Sequence, residues 1–202
     1  MTCTVVILVK VPGHLPVKTR LAATMGEDAA RAVFAEMLEH SVQLARQFDS
    51  RPTLAFSPPE ADGARLLGPF AEARYLPVPG ADGAACLEAA LQLAYVGRPL
   101  IALGGDAPDL PGEHLLAALE ALDHADAAFV PSGDGGFSAM VLAKPLPGLA
   151  AGFRFGAGDA LGSLLAYFQS LGLRTHCTEP WPDVDTPADL AAWRARAVAR
   201  LG

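Results

Sequence analysis

Leu100-Ile-Ala-Leu-Gly-Gly-Asp-Ala-Pro-Asp109 is the stretch whose reading decides the fold. Four apolar residues, Leu100 to Leu103, match a strand of a parallel sheet covered on both faces. Gly104 and Gly105 then let the backbone turn tightly without a Cβ clash. Asp106 is left at the carboxyl end of that strand, where open α/β sheets place their ligands. Pro108 and Pro111 stop the strand, and a helical pattern begins near Pro111 and runs to about Leu122.

Upstream of that stretch, the β-branched run Thr4 to Val9 predicts the first, central strand. A cationic loop, Lys10 to Leu21, follows it. From Gly26 to about Phe48 apolar residues recur at helical spacing (Val33, Phe34, Met37, Leu38, Val42). Thr53–Phe56 and Arg74–Val78 read as strands, Glu60 to Leu67 as a weak helix and Ala84 to Tyr95 as a helix. Downstream, Ala127–Val130 and Phe137–Ala143 are strands joined through Asp134-Gly-Gly136 without an intervening helix. Lys144 to Gly152 is irregular. Gly158–Leu171 is a helix ended by Gly172, Leu173–Thr178 is a strand, and a last helix starts at Pro187 with Asp185 or Thr186 as its N-cap. Strands alternating with helices predict an α/β fold, a mainly parallel sheet with helices on both faces.

Composition narrows the class. The chain has 202 residues, 51% hydrophobic and 18% charged, which is globular, and residues 1–202 are expected to form one domain. A net charge of −7 disfavours nonspecific nucleic-acid binding and adhesion to anionic membranes. No apolar run approaches the roughly 18 to 20 residues of a membrane span, and the start lacks a signal-peptide pattern, so a cytoplasmic protein is expected. Cys3, Cys86 and Cys177 lack disulfide or zinc spacing and read as buried or inert thiols. The five histidines share no motif, and there is no GxSxG elbow.

Candidate chemistry gathers in four places. Lys10, Lys18 and Arg20, in a loop with Gly13, can wrap phosphates; the alternative is a solvated basic loop. The loop is neither a Walker A nor a GxGxxG motif. Asp106 is a ligand or a turn residue, and Asp109 is expected to cap the helix near Pro111. Asp183 and Asp185 flank Val184 and are expected to present only one carboxylate to a given ligand, with Asp183 the more readily explained as a turn or cap residue. An aspartate there could share Mg²⁺ or Mn²⁺ with Asp106, since these ions prefer carboxylate oxygens and are completed by substrate phosphates. The Asp134-Gly135-Gly136 loop is a plain turn or a place where backbone approaches a substrate.

Taken in order, Val9–Leu21, Leu103–Leu110, Pro131–Phe137 and Asp183–Leu190 resemble the DUF2064 proteins, the selenodomain-associated glycosyltransferase-like family. That family has the GT-A, nucleotide-diphospho-sugar transferase fold and is similar to MobA-like and 2-phospholactate guanylyltransferase-type nucleotidyltransferases. The resemblance implies a Rossmann-like three-layer α/β/α sandwich with a mixed, mostly parallel sheet. It also implies that Lys10, Lys18 and Arg20 contact nucleotide phosphates, that Asp106 and Asp185 bind the ion, and that Asp134–Gly136 lines an acceptor or sugar pocket. Three stretches depart from the family pattern. Gly80–Leu87 lacks an arginine, Phe137-Ser138 stands where two tyrosines are usual, and Phe153–Asp159 replaces an aromatic, hydroxyl-bearing stretch. The expected function is a metal-dependent transferase on a nucleotide sugar or nucleoside triphosphate, with Lys18 and Asp106 central to catalysis and the acceptor open. The alternative is a non-catalytic nucleotide-binding or regulatory module.

Overall fold

Alternation along the strands decides the layers. In β1 (Thr4–Lys10), Val5, Ile7 and Val9 enter one apolar cluster, while Val6 enters the other. Successive side chains of a strand point to opposite faces, so an apolar run at every position needs cover on both sides. The computed structural model describes residues 2–68, 70 and 72–199. The remaining strands are β2 (Thr53–Ser57), β3 (Arg74–Pro77), β4 (Leu100–Leu103), β5 (Ala127–Pro131), β6 (Phe137–Leu142) and β7 (Thr175–Cys177). They form a sheet in the order β3-β2-β1-β4-β6-β5-β7. β6 runs antiparallel to both its neighbours, and the other pairings are parallel. The expected mixed, mostly parallel sheet is therefore present. β6 is reversed because the turn before it holds no helix to carry the chain back across the sheet.

The helices are α1 (Thr19–Met25), α2 (Glu27–Arg46), α3 (Gly63–Leu66), α4 (Gly83–Ala94), α5 (Gly112–Glu120), α6 (Ala160–Ser170) and α7 (Pro187–Ala199). One face of the sheet is covered by α2 and α5 through Phe34, Leu38, Val42, Leu115 and Leu119. The opposite face is covered by α4 and α6 through Leu87, Leu91, Leu164 and Phe168. A third, smaller cluster joins Leu21 of α1, Met37 of α2, Val184 and Trp193 of α7. Trp193 is 2% exposed, so this cluster anchors α7 against the rest.

Four details differ from the sequence reading. The cationic loop ends at Lys18, because Thr19 to Met25 already form α1. The weak helix over Glu60–Leu67 contracts to the single turn α3, with Asp62 accepting from Arg65 N–H. Cys177 is exposed, unlike Cys3 and Cys86. Burial, reinforced by Asp49, pushes the Cys3 thiol up to about 11, consistent with an inert thiol there.

Asp109 is the fourth. It does not cap α5, whose N-cap Pro111 has no side-chain bond. Its carboxylate instead accepts from Arg196 of α7 (Nε, 2.6 Å; Nη2, 3.2 Å) and from Trp181 Nε1 (3.2 Å). Its side chain is 5% exposed, so a charge-assisted fork outcompetes a solvent-edge cap. The pair fixes α7 to the loop that carries Asp106. Asp109→Ala is expected to lower unfolding free energy by about 2–3 kcal/mol, since Arg196 and Trp181 Nε1 lose their acceptor. Urea denaturation read by circular dichroism measures it, and a loss below about 0.5 kcal/mol, the range of ordinary surface substitutions, contradicts it.

Candidate functional site

The chain segments that leave the carboxyl ends of β1, β4 and β7 meet at one edge of the sheet, and the β5–β6 turn lies at the same edge. At that edge Gly104 N–H donates to the Ser138 carbonyl (2.8 Å), continuing the β4–β6 pairing one residue beyond the strand. A Cβ on Gly104 would lie 2.7 Å from Asp106 Oδ1 and 3.1 Å from the Ser138 carbonyl oxygen. Glycine at 104 thus leaves the room in which the Asp106 carboxylate folds back over the strand end. A Cβ on Gly105 would meet nothing within 4 Å, so only the first glycine of the pair has a steric reason.

Val184 N–H donates to the Asp106 carbonyl at 2.8 Å. The Val184 side chain has 0% exposure and packs in the cluster with Leu21, Met37 and Trp193. With the valine turned into the core, both flanking aspartates turn out. Asp106, Asp183 and Asp185 each offer an oxygen, and these oxygens all lie within 4.8 Å of one another. The expectation that only one of the two aspartates faces the site is therefore corrected. Adjacent residues of an extended segment diverge, whereas positions two apart share a side.

Asp185 is held from behind by the start of α7. Asp185 N–H (3.2 Å) and Thr186 N–H (2.7 Å) both donate to Asp189 Oδ2, and Asp189 N–H donates back to Thr186 Oγ1 (3.3 Å). This is the reciprocal arrangement of a capping box, with Thr186 as N-cap and Pro187 first in the helix.

Two cations enter the acidic cluster. Lys18 Nζ lies 2.6 Å from Asp185 Oδ1 and 3.4 Å from Asp106 Oδ2, and its side chain is 8% exposed. Burial works against the ammonium, but the charges of Asp106 and Asp185 outweigh it and raise the Lys18 pKa above the ordinary lysine value. Lys18 adopts φ 46° and ψ 50°, left-handed backbone that is uncommon for a residue with a Cβ. That conformation ends the loop, opens α1 and sends the side chain inward. Arg20, on the first turn of α1, places Nη1 3.7 Å from Asp185 Oδ2 and stays largely in solvent.

The other expected residues take peripheral positions. Lys10 is exposed at the end of β1. Gly13 has φ 87° in a turn closed by the Pro12–Leu15 bridge. The same loop borders a cleft of about 240 Å³ with His14, Thr19, Glu27 and Arg31, which does not include the three aspartates. Asp134 Oδ1 accepts from Ser132 Oγ (2.6 Å) and Gly136 N–H (3.0 Å), and the Ser132 bond is the main cause of its lowered pKa. Gly135 has φ 85°, and a Cβ there would sit 2.3 Å from the Gly158 carbonyl oxygen. The loop is thereby pinned to the start of α6, where Leu161 N–H donates to the Gly135 carbonyl at 2.9 Å.

The sequence reading weighed Asp183 but explained it as a turn or cap residue, although an Asp-Val-Asp pattern with a buried centre signals two carboxylates on one side. It passed over Ser138, whose hydroxyl donates to the Trp181 carbonyl (3.1 Å) and steadies the segment leading to Asp183. No local signal marks that contact.

The donor set consists of carboxylate oxygens alone. It suits a hard divalent ion such as Mg²⁺ or Mn²⁺, and it lacks the sulfur or imidazole that would favour zinc or copper. Among the described residues no helix is long and apolar enough to cross a membrane.

The sheet order and the match to a solved structure define a protein of the nucleotide-diphospho-sugar transferase fold. A protein of Desulfovibrio desulfuricans G20, provisionally named as such a transferase, is 29% identical. The match covers 96% of this chain and 87% of that one, with a TM-score of 0.81. The chain belongs to the family described as "Uncharacterized protein conserved in bacteria (DUF2064)", whose model matches residues 19–157. The fold is also that of a 4-diphosphocytidyl-2C-methyl-D-erythritol synthase, 14% identical with a TM-score of 0.62 over 96% of this chain and 98% of that one. Rv0371c of Mycobacterium tuberculosis H37Rv, in complex with manganese, is 17% identical with a TM-score of 0.59 over 95% and 97%. No curated protein matches the sequence.

Burial, then the charges of Asp106, Asp134 and Asp185, push the Asp183 carboxyl up to about 6. Its unfolded value is about 3.9, so between pH of about 4 and 6 the folded chain holds the extra proton and stability falls as pH rises. With a chelator present, Asp183→Asn is expected to gain stability over the parent at pH 7 and to match it near pH 4. Urea midpoints of both proteins at the two pH values measure this, and a variant no more stable than the parent at pH 7 contradicts the assignment.

Proposed function

We propose that the chain is a divalent-ion-dependent transferase acting on a nucleotide substrate, a nucleotide sugar or a nucleoside triphosphate. The observation that carries this reading is the meeting of three carboxylates with Lys18 and Arg20 at the carboxyl edge of the sheet. The fold it shares with a 4-diphosphocytidyl-2C-methyl-D-erythritol synthase and a manganese-bound protein supports the reading. The unit that acts is taken to be the whole chain as one domain.

In this reading Asp106, Asp183 and Asp185 hold Mg²⁺ or Mn²⁺. The chemistry such an ion supplies is neutralisation of phosphate oxygens and stabilisation of a pyrophosphate or nucleoside diphosphate leaving group. Lys18 and Arg20 bring full positive charge to the same phosphates, and the backbone of residues 11–17 wraps around them. Lys10 and Gly13 extend that loop at its entry. The Asp134–Gly136 turn lines the acceptor side. Its carboxylate is committed to bonds within the turn, so it shapes the wall and does not serve as a base. Little proton chemistry is asked of the protein, in keeping with phosphoryl-type transfer by positioning and charge.

Calorimetric titration of nucleoside triphosphates and nucleotide sugars, with and without Mn²⁺, tests the reading. Binding is expected to need the ion, and Asp106→Ala is expected to weaken it at least about a hundredfold while circular dichroism stays unchanged. Ion-independent binding, or an Asp106→Ala variant of parental affinity, would remove the proposal. For the nucleotide that binds, release of pyrophosphate identifies nucleotidyl transfer and release of nucleoside diphosphate identifies glycosyl transfer. Tight binding with neither product, across phosphorylated and hydroxyl-bearing acceptors supplied to take the transferred group, supports the non-catalytic module instead.

A further inference from the structure

Lys18 contacts two of the three carboxylates assigned above to a divalent ion. Its Nζ lies 2.6 Å from Asp185 Oδ1 and 3.4 Å from Asp106 Oδ2, in a side chain only 8% exposed. The remaining oxygen of Asp185, Oδ2, faces Arg20 Nη1 at 3.7 Å. Both oxygens of this aspartate therefore have a cation beside them. A divalent ion binds carboxylate oxygens at about 2.0–2.2 Å, far inside the spacing that two like charges tolerate on one carboxylate pair.

The Lys18 backbone is held by α1, while the ammonium is held only by the two carboxylates at its tip. The Lys18 carbonyl accepts the first helical bond of α1 from Ala22 N–H at 2.8 Å. Beyond Cα lies a flexible four-carbon stem with a compact charge at its tip. The ammonium can leave the carboxylates without disturbing α1.

We infer that Lys18 is an internal cation that alternates with the divalent ion on Asp106 and Asp185: entry of the ion expels the ammonium, and the phosphates of the incoming nucleotide receive it. Lys18 is in this respect a positioning residue that ties ion binding to nucleotide binding. The ion alone must displace a bonded ammonium that gains only water. With nucleotide present, that ammonium gains an anionic partner, so ion and nucleotide favour each other's binding. The inference rests on the reading of the three aspartates as an ion site.

The test uses the parent protein and its three lysines, Lys10, Lys18 and Lys144. Lys10 and Lys144 are exposed; both serve as internal standards before nucleotide is added, and Lys144 alone once it is, because Lys10 stands at the entry of the phosphate loop. Brief acetylation with acetic anhydride, read by peptide mass spectrometry, is expected to modify Lys18 about tenfold more slowly than either standard in the presence of a chelator. Saturating Mn²⁺ is expected to remove that protection, and addition of a nucleoside triphosphate to restore it. In parallel, Lys18→Met is expected to bind Mn²⁺ about tenfold more tightly by calorimetry. A gain in affinity alone could come from removing a nearby charge, so the labelling on the parent decides. Protection that persists at saturating Mn²⁺ overturns the inference and leaves the ion site standing. Failure of both the parent and the variant to bind Mn²⁺ overturns the ion site and the inference together. Lys18 reacting as fast as Lys10 before any ion is added also overturns it.

Discussion

The hydrogen bond from Val184 N–H to the Asp106 carbonyl is the joint on which the site depends. It stitches the loop after β4 to the segment after β7. The bond alone is worth about 1 kcal/mol. What makes it dependable is the side chain behind it. Val184 is fully buried against Leu21, Met37 and Trp193, so the segment cannot roll without opening an apolar cluster. Rolling the other way would bury two carboxylates, which costs far more. Hydrophobic burial thus sets the direction of charged groups that it never touches.

That arrangement concentrates negative charge on one edge of a chain that is already acidic overall. Three carboxylates within 4.8 Å repel one another, and burial together with that repulsion raises the Asp183 carboxyl. Lys18 and Arg20 offset it, Lys18 from inside and Arg20 from the solvent side. Lys18 does so from a left-handed backbone conformation, a strain of order 1 kcal/mol or more held in place by the structure around it. Local preference and overall fold disagree at this one residue, as they do where chemistry has a claim on position. The Asp109–Arg196 fork and the Asp189–Thr186 capping box then hold the acidic loop and the start of α7 in register.

Much of the architecture was legible in the residues. Runs such as Thr4–Val9 and Leu100–Leu103 are apolar at every position, which only a doubly covered strand satisfies. Glycine and proline mark where β4 ends. Helical spacing places α2, α4 and α6 within a few residues. Helix α1 was hidden because its polar start, Thr19-Arg20, reads as the end of a cationic loop. The capping role expected of Asp109 failed because its partners, Arg196 and Trp181, lie far along the chain. Nothing local distinguishes a capping aspartate from one about to meet a distant arginine.

By itself the sequence determined the layering of strands and helices, the reversal of β6 at Asp134-Gly-Gly136, and the family to which the chain belongs. It also singled out Lys18, Arg20, Asp106 and Asp185 as the groups with charge to offer, because residue type and local periodicity are properties of neighbouring positions. Only the tertiary structure decided that Asp183 joins Asp106 and Asp185 while Asp109 does not, and that Lys18 reaches inside to two of the three. Those outcomes turn on which side chain the core claims between two aspartates, and on which charges meet across segments that the sheet order brings together.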